Sequence, residues 1–286
     1  MQASDLLQRL SVSTGVYKEL TPEACVEAYR GLGLSFGELG GDHGKMLLQR
    51  SGSPEAIGRA FGRYAADHGL HFPQGHLHLD LDPTVPADLE ELKRWLELFY
   101  GAGVKRAVLH AFGDESYAED AQIAQRSAYL RQLVSHIQGT DMVICLENLH
   151  SKPLLRTADG LMKLIEAAGH SPHLGICFDA GHLHRSLSHG VTQQSHGAYI
   201  QKAGDRLMAL HMHDNMGKND DHLLPFCQNG MDWKAFLKAL LATDYDGLFN
   251  FEIHGLARGT PIPVSHMRLR HLVELSAYLL SDAFLN

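Results

Sequence analysis

Ile144-Cys145-Leu146-Glu147 and Ile176-Cys177-Phe178-Asp179 are near copies of one another, 32 residues apart. Each is a short apolar run that closes on a carboxylate. Such a run reads as a buried strand, and alternation sets Cys145 on the face of Glu147 and Cys177 on that of Asp179. If the carboxylates point to an open end of a barrel, the cysteines lie one layer below, as small core residues rather than ligands. Outward from this pair, similar runs lie at 10–16, 34–39, 72–81, 106–110, 207–213 and 248–253, with the quoted two extending over 142–147 and 174–179. That makes eight candidate strands.

Between the runs lie helical patterns with start and stop signals. Thr21-Pro22-Glu23 and Ser53-Pro54-Glu55 each place a capping residue before proline at the first helical position. Gly31-Leu32-Gly33, Gly69, Gly101-Ala102-Gly103 and Gly169 end helices. Leu89, Leu92, Leu96 and Phe99 recur at helical spacing. Strand–helix alternation without a linker predicts a parallel sheet. Eight units over 286 residues give about 36 residues each, which fits a (β/α)8 TIM barrel as one domain over 1–286. An open doubly wound sheet would carry a glycine-rich phosphate turn after an early strand, and Ser13-Thr14-Gly15-Val16-Tyr17-Lys18 is not one.

Barrel enzymes build their sites at the C-terminal ends of the strands. The acids and histidines that close the runs are Glu38, His76, His110, Glu147, Asp179, His211 and Glu252. They follow one another at close to one strand–helix unit, so a barrel gathers them at one mouth. Single acids at strand ends also serve as helix caps or solvated loop residues, and Glu38 has the weakest claim to anything more. Asp179-Ala180-Gly181-His182, His211-Met212-His213-Asp214 and Asp220-Asp221-His222 add further donors. Most other histidines, among them His43, His68, His136, His170 and His271, read as ordinary helix or loop residues.

Composition narrows the function. Twenty histidines beside 33 acids raise the prior for metal sites of imidazole and carboxylate. The four cysteines have no CxxC spacing and suit reduced thiols. Net charge is −8, with 25 Lys and Arg and no basic run, which counts against nucleic acid as a partner. No apolar run approaches the roughly 18 residues of a membrane helix. The first ten residues lack a basic-then-apolar leader design, so a cytoplasmic protein is expected.

Glu147-Asn148, Asp179-Ala180-Gly181-His182, His211-x-x-Asp214, Asp220-x-His222 and Glu252 together resemble the xylose isomerase-like TIM-barrel superfamily. That group includes sugar (phosphate) isomerases and epimerases, inosose-type dehydratases and endonuclease IV. The resemblance follows the strand order of nearly the whole chain. It implies a divalent cation held by Glu147, Asp179, His211 and Glu252, with His182 contacting substrate. His211 is preferred to His213 because it opens the His-x-x-Asp pattern, and His76 to its neighbour His78. In endonuclease IV further ligands complete a three-zinc cluster, and the matching positions are His76, His110, His182, Asp220 and His222. There are two departures. Phe226-Cys227-Gln228-Asn229-Gly230-Met231-Asp232-Trp233 has one glycine fewer than the family's turn. Gly217-Lys218 stands where sugar epimerases often carry an arginine, which makes Lys218 its stand-in.

Three readings follow. The first is an isomerase or epimerase, or an enolate-forming dehydratase, acting on a sugar, keto-sugar or inosose-type ketone. Its cofactor would be Mn²⁺, Mg²⁺, Co²⁺ or Zn²⁺. Glu147 and Glu252, from the fifth and eighth strands, would then be an acid–base pair on opposing sides of the mouth. His76, His110, His182, Lys218 and His222 would contact substrate oxygens, with His110 or Lys218 the rival proton carrier. The second is a zinc phosphodiesterase acting on abasic DNA. The third is a non-catalytic barrel, which loss of a central ligand would signal; all four are present. A homo-oligomer stays open.

Overall fold

The computed structural model describes residues 1–286. All eight expected strands form: β1 (Leu10–Val12), β2 (Phe36–Leu39), β3 (His71–His76), β4 (Arg106–Leu109), β5 (Val143–Glu147), β6 (Leu174–Asp179), β7 (Leu207–His211) and β8 (Phe249–Phe251). Strands β2 to β7 pair in parallel in sequence order, and β1 pairs in parallel with β8. Single parallel bridges, Ser13 to Glu38 and Met212 to Phe251, join the two sheets into a ring. The fold is a TIM barrel.

Its helices are α1 (Ala3–Leu7), α2 (Pro22–Gly31), α3 (Gly41–Leu48), α4 (Pro54–Asp67), α5 (Pro86–Ala102), α6 (Glu119–Ile137), α7 (Ala158–Ala167), α8 (Ala180–Ser188), α9 (His196–Ala203), α10 (Trp233–Leu241), α11 (Ile262–Leu279) and α12 (Asp282–Leu285). The start signals act as read. Thr21 Oγ1 accepts from Ala24 N at 3.2 Å and Ser53 Oγ from Ala56 N at 3.3 Å. Gly33, Gly69, Gly103 and Gly169 all have positive φ, the conformation that ends a helix most easily at glycine. The Leu89–Phe99 spacing is the buried face of α5.

Several runs outlast their strands, three of them into defined turns or loops. After Val12 the chain tightens into a 3-10 turn, Thr14–Tyr17. After His76 it enters a loop where Pro83 offers no backbone donor and Asp82 Oδ1 accepts from Thr84 N at 2.9 Å, before Pro86 opens α5. After His211 only Met212 still bridges β8, and Asp214 turns away to pair antiparallel with Leu223.

The barrel's interior has two unlike halves. Val108, Cys145, Cys177 and Ala209 form a buried layer of small side chains on β4 to β7, directly below the strand-end carboxylates. The two cysteines are the core residues expected, and burial pushes the Cys145 thiol up to about 12. The other half is polar: Ser11, Glu38, Gln74 and Asn250 are all fully buried. Ser11 Oγ donates to Asn250 Oδ1 at 2.7 Å, and Gln74 Nε2 donates to Glu38 Oε2 at 2.5 Å. These bonds offset part of the cost of such burial, while Glu38 Oε1, Gln74 Oε1 and Asn250 Nδ2 stay without a partner. The main apolar core lies outside the ring, between strands and helices, as where Phe178 stacks on Tyr199 of α9 at 4.1 Å.

Candidate metal centre

Strand register builds the centre. Asp179 of β6 stands beside His211 of β7, and Glu147 of β5 beside Cys177 of β6. Glu252 follows β8 by one residue, its N–H bonded to Met212 O at 3.0 Å. Glu147, Asp179, His211 and Glu252 thereby bring one potential ligand atom each to within 4.8 Å of one another. His211 Nδ1 lies 3.4 Å from Glu147 Oε2, 3.3 Å from Glu252 Oε2 and 4.0 Å from Asp179 Oδ2. The structure thus brings His211, not His213, to this inner group.

Glu38 decides how His211 presents itself. The Glu38 carboxylate is wholly buried and its Oε2 lies 2.7 Å from His211 Nε2. A carboxylate only accepts, so Nε2 carries a proton and Nδ1 is the nitrogen that faces the three acids. Expected to be a cap or a solvated residue, Glu38 is instead the support of the central histidine. Neither spacing nor residue type marked this. Only the curvature of the barrel brings β2 against β7.

Other imidazoles follow the same rule. Backbone carbonyls anchor Nδ1 of His76 (Leu77 O, 2.8 Å), His182 (Asn148 O, 2.8 Å) and His222 (Glu252 O, 2.7 Å). Each then aims Nε2 at a carboxylate. His76 and His110 reach Glu147 Oε2 at 3.1 and 3.0 Å. His182 and His222 reach Asp220 Oδ2 at 3.0 and 3.3 Å. His213 joins this outer group, with Nε2 3.2 Å from Asp179 Oδ1 and 3.6 Å from Asp220 Oδ1. The sequence reading left His213 out. Gly181 makes room for it, since a Cβ there would run into the His213 ring. Outer-shell anchoring of this kind is characteristic of metal-binding histidines.

Lys218 does not join these residues. It is exposed on the loop after β7, and its carbonyl accepts from Arg185 Nε at 3.2 Å. His78 packs edge-on against Trp95 instead of entering the cluster. His43 is an ordinary buried residue of α3, its Nε2 3.1 Å from Leu20 O.

Asp214 organises the loop that carries Asp220 and His222. Its carboxylate accepts from the backbone N–H groups of Phe226 (3.0 Å) and Met231 (2.9 Å) and from Trp233 Nε1 (3.0 Å). The turn with one glycine fewer closes with Asn229 at φ 58°, a left-handed conformation that asparagine tolerates.

Burial favours a neutral Glu147, but the imidazoles of His110 and His211 outweigh it and hold the carboxyl well below its usual range. Burial also opposes a charged His211, yet the groups around it, Cys177, Glu38, Glu252 and Glu147 among them, push it well above the usual imidazole range. Carboxylates this close need positive charge between them, which imidazole protons or a divalent cation supply. Asp179 Oδ2 and His211 Nδ1 are buried with no hydrogen-bond partner, as are His213 Nε2 and Asp220 Oδ1 in the outer group. Such atoms are rare in folded proteins. Three carboxylates with one correctly presented imidazole suit a divalent ion.

Solved structures share the architecture. A D-psicose 3-epimerase from Clostridium cellulolyticum superposes with a TM-score of 0.76 at 14% identity, covering 96% of this chain and 99% of that one. A probable 3-DHS dehydratase from Bacillus anthracis gives 0.70 at 14% identity, covering 94% and 98%. At these identities the likeness speaks for the fold alone. A curated relative, the uncharacterized protein y4fM of Sinorhizobium fredii, is 30% identical over 172 residues, 57% of this chain and 52% of that protein. The chain thus spans about half the length of the curated relative it matches. A family model described as xylose isomerase-like TIM barrel matches residues 26–270, and the chain belongs to that family.

Proposed function

We propose that the chain is a divalent-metal-dependent enzyme that isomerises or epimerises a sugar, keto-sugar or polyol-derived ketone, or dehydrates one by the same opening step. The observation that carries this reading is the inner group, with its two buried, unpartnered ligand atoms Asp179 Oδ2 and His211 Nδ1. The epimerase and dehydratase among the structural neighbours are consistent with it. Glu147, Asp179, His211 and Glu252 would hold the ion. When bound, it would supply Lewis-acid polarisation of a substrate carbonyl and its neighbouring hydroxyl.

The chain's own residues then act as follows. Glu147 and Glu252 stand on β5 and just past β8, on different arcs of the ring, and so can face opposite sides of a planar enediolate. Glu147 is held ionised by its imidazole neighbours and accepts the proton next to the carbonyl. Glu252 returns one on the other face or the adjoining carbon. Its carboxylate lies 3.6 Å from His254 Nε2, an imidazole able to exchange that proton onward. His182, anchored by Asn148, orients a substrate hydroxyl. Loss of a β-hydroxyl from the same enolate would give the dehydratase outcome.

The test is solvent deuterium exchange into substrate by Glu147→Gln and Glu252→Gln variants that retain metal. Exchange should fall at least about a hundredfold in each, the usual range for a lost acid or base. Wild-type exchange in both would remove the acid–base assignment.

A second reading, a zinc phosphodiesterase acting on abasic DNA, draws on one observation. His76 and His110 on Glu147, and His182, His213 and Asp220 with His222, form two further groups of closely spaced ligand atoms. About three metals per chain, with salt-sensitive retention on duplex DNA, would favour it; one metal and no retention would favour the first reading.

A further inference from the structure

A cavity of about 220 Å³ opens beside the inner group, between the ends of β1, β2, β3 and β8. Glu252 and His76, both beside the centre, line it, so the cavity can take the part of a substrate that extends past the reacting end. At a water-sized volume per heavy atom it holds about three or four hydroxylated carbons.

Its lining contains three carboxylates, Asp42, Asp80 and Glu252, and neither lysine nor arginine. Three glycines, Gly15, Gly40 and Gly41, bare the backbone on one wall. Two side chains offer unused hydrogen-bonding capacity. Ser13 is almost fully buried, lies on the same inward face as Ser11, and its Oγ makes no hydrogen bond within the protein. His254 Nε2 is a buried nitrogen without a hydrogen-bond partner, its ring stacked on His222 at 5.2 Å. Hydroxyls satisfy such a wall, since each both donates to carboxylates and accepts from N–H groups. A phosphate dianion accepts only and would meet the like charges of Asp42 and Asp80, with Glu252 committed to the ion.

Cations do occur around the mouth, but elsewhere. Arg156, Arg185 and Lys218 belong to segments after β5, β6 and β7, and none lines this cavity. Lys45 and Arg94 line a separate cavity that shares only His78 and Asp80 with this one, and Arg94 is paired with Glu91.

From this we infer that the substrate is a neutral polyhydroxylated compound, not a sugar phosphate, with its distal hydroxyls seated against Ser13, the glycine wall and His254. The inference rests on the enolising reading for the reacting end, but the seat itself can be tested without catalysis.

Two measurements run on the metal-loaded protein. Solvent deuterium exchange compares a 2-ketohexose with its 6-phosphate ester. Calorimetric titration compares the corresponding hexitol and hexitol 6-phosphate, which cannot enolise. The neutral member should lead in both, by about tenfold, because Asp42 and Asp80 are solvent-exposed and their charges are screened. Ser13→Ala should weaken hexitol binding several-fold. The double variant Asp42→Lys, Asp80→Lys, both exposed positions, should close most of that gap by admitting the phosphate. Equal or stronger binding of the phosphate ester would overturn the inference, and so would no hexitol binding at all. Neutral-selective hexitol binding without exchange in either ketose would uphold the seat and remove the enolising reading.

Discussion

Replacing Glu38 by glutamine should separate the histidine's support from the fold's. Glu38 Oε2 takes two hydrogen bonds, from Gln74 Nε2 at 2.5 Å and His211 Nε2 at 2.7 Å. A glutamine keeps the shape, and its carbonyl oxygen accepts both. What it removes is the charge that makes the His211 bond a charge-assisted one and raises the basicity of Nδ1. Partners of this kind are worth about 10- to 100-fold in metal affinity, or roughly 1.4–2.7 kcal/mol. The metal-free variant should melt close to wild type, because burying a carboxylate is itself unfavourable. Glu38→Leu differs. It leaves His211 Nε2 unpaired, at about 1–3 kcal/mol, and Gln74 Nε2 with only its 3.3 Å bond to Leu210 O, so it should lose both affinity and stability. The assay is competitive chelator titration for metal, with thermal melts of both metal-free variants. A Glu38→Gln protein with wild-type affinity and a lowered melting temperature would refute the reasoning and make Glu38 a purely structural residue.

Asp179→Asn should lose most bound metal in elemental analysis, and unchanged metal content would remove Asp179 from the ligand set. Chelating the wild-type protein should lower its stability by about 2.7 kcal/mol relative to metal at a hundred times its dissociation constant, readable as a melting shift. Asp214→Ala strands several donors, the buried Trp233 Nε1 among them, and should cost about 3–5 kcal/mol in urea unfolding, with early proteolysis between Asp214 and Met231. His196 is buried, and burial pushes its imidazole down from 6.5 to about 4. The folded chain therefore binds fewer protons than the unfolded one between those values. The stability its neutral form contributes is complete above 6.5 and is lost as pH falls through about 4, roughly 3 kcal/mol in all. His196→Asn should flatten the wild-type pH slope of urea midpoints in that window; an unchanged slope would contradict the assignment.

The strand-end groups were legible because a barrel repeats one unit, and each repeat places its last inward residue at the same height. That is why Glu147, Asp179, His211 and Glu252 stood among the seven groups that spacing picked out, and the family resemblance singled out these four. What escaped were contacts made across the ring or up through a loop. Glu38 meets His211 over 173 residues of sequence, and no local pattern records such a pairing. His213 looked like an unused duplicate of His211, because alternation placed both on one face without saying which height each occupies. Lys218 shows the opposite failure. Its position fitted the family's arginine, yet no sequence pattern holds a side chain in place on an open loop.

The ring's seam has a kinetic meaning. Strands β1 and β8 pair with each other along their length, but only one bridge ties each to its other neighbour. Ser11 and Asn250, which meet inside that ribbon, stand 239 residues apart. Closure entropy of so long a loop is met only after the intervening strands have assembled, so the ribbon is the last part of the ring to condense. Glu252 and the wall with Ser13 both belong to it. A chain caught before that step, on the ribosome or after dilution from denaturant, already holds Glu147, Asp179 and His211 on neighbouring strands. It lacks the fourth carboxylate and half the cavity, so ion capture would report the completion of folding rather than its beginning.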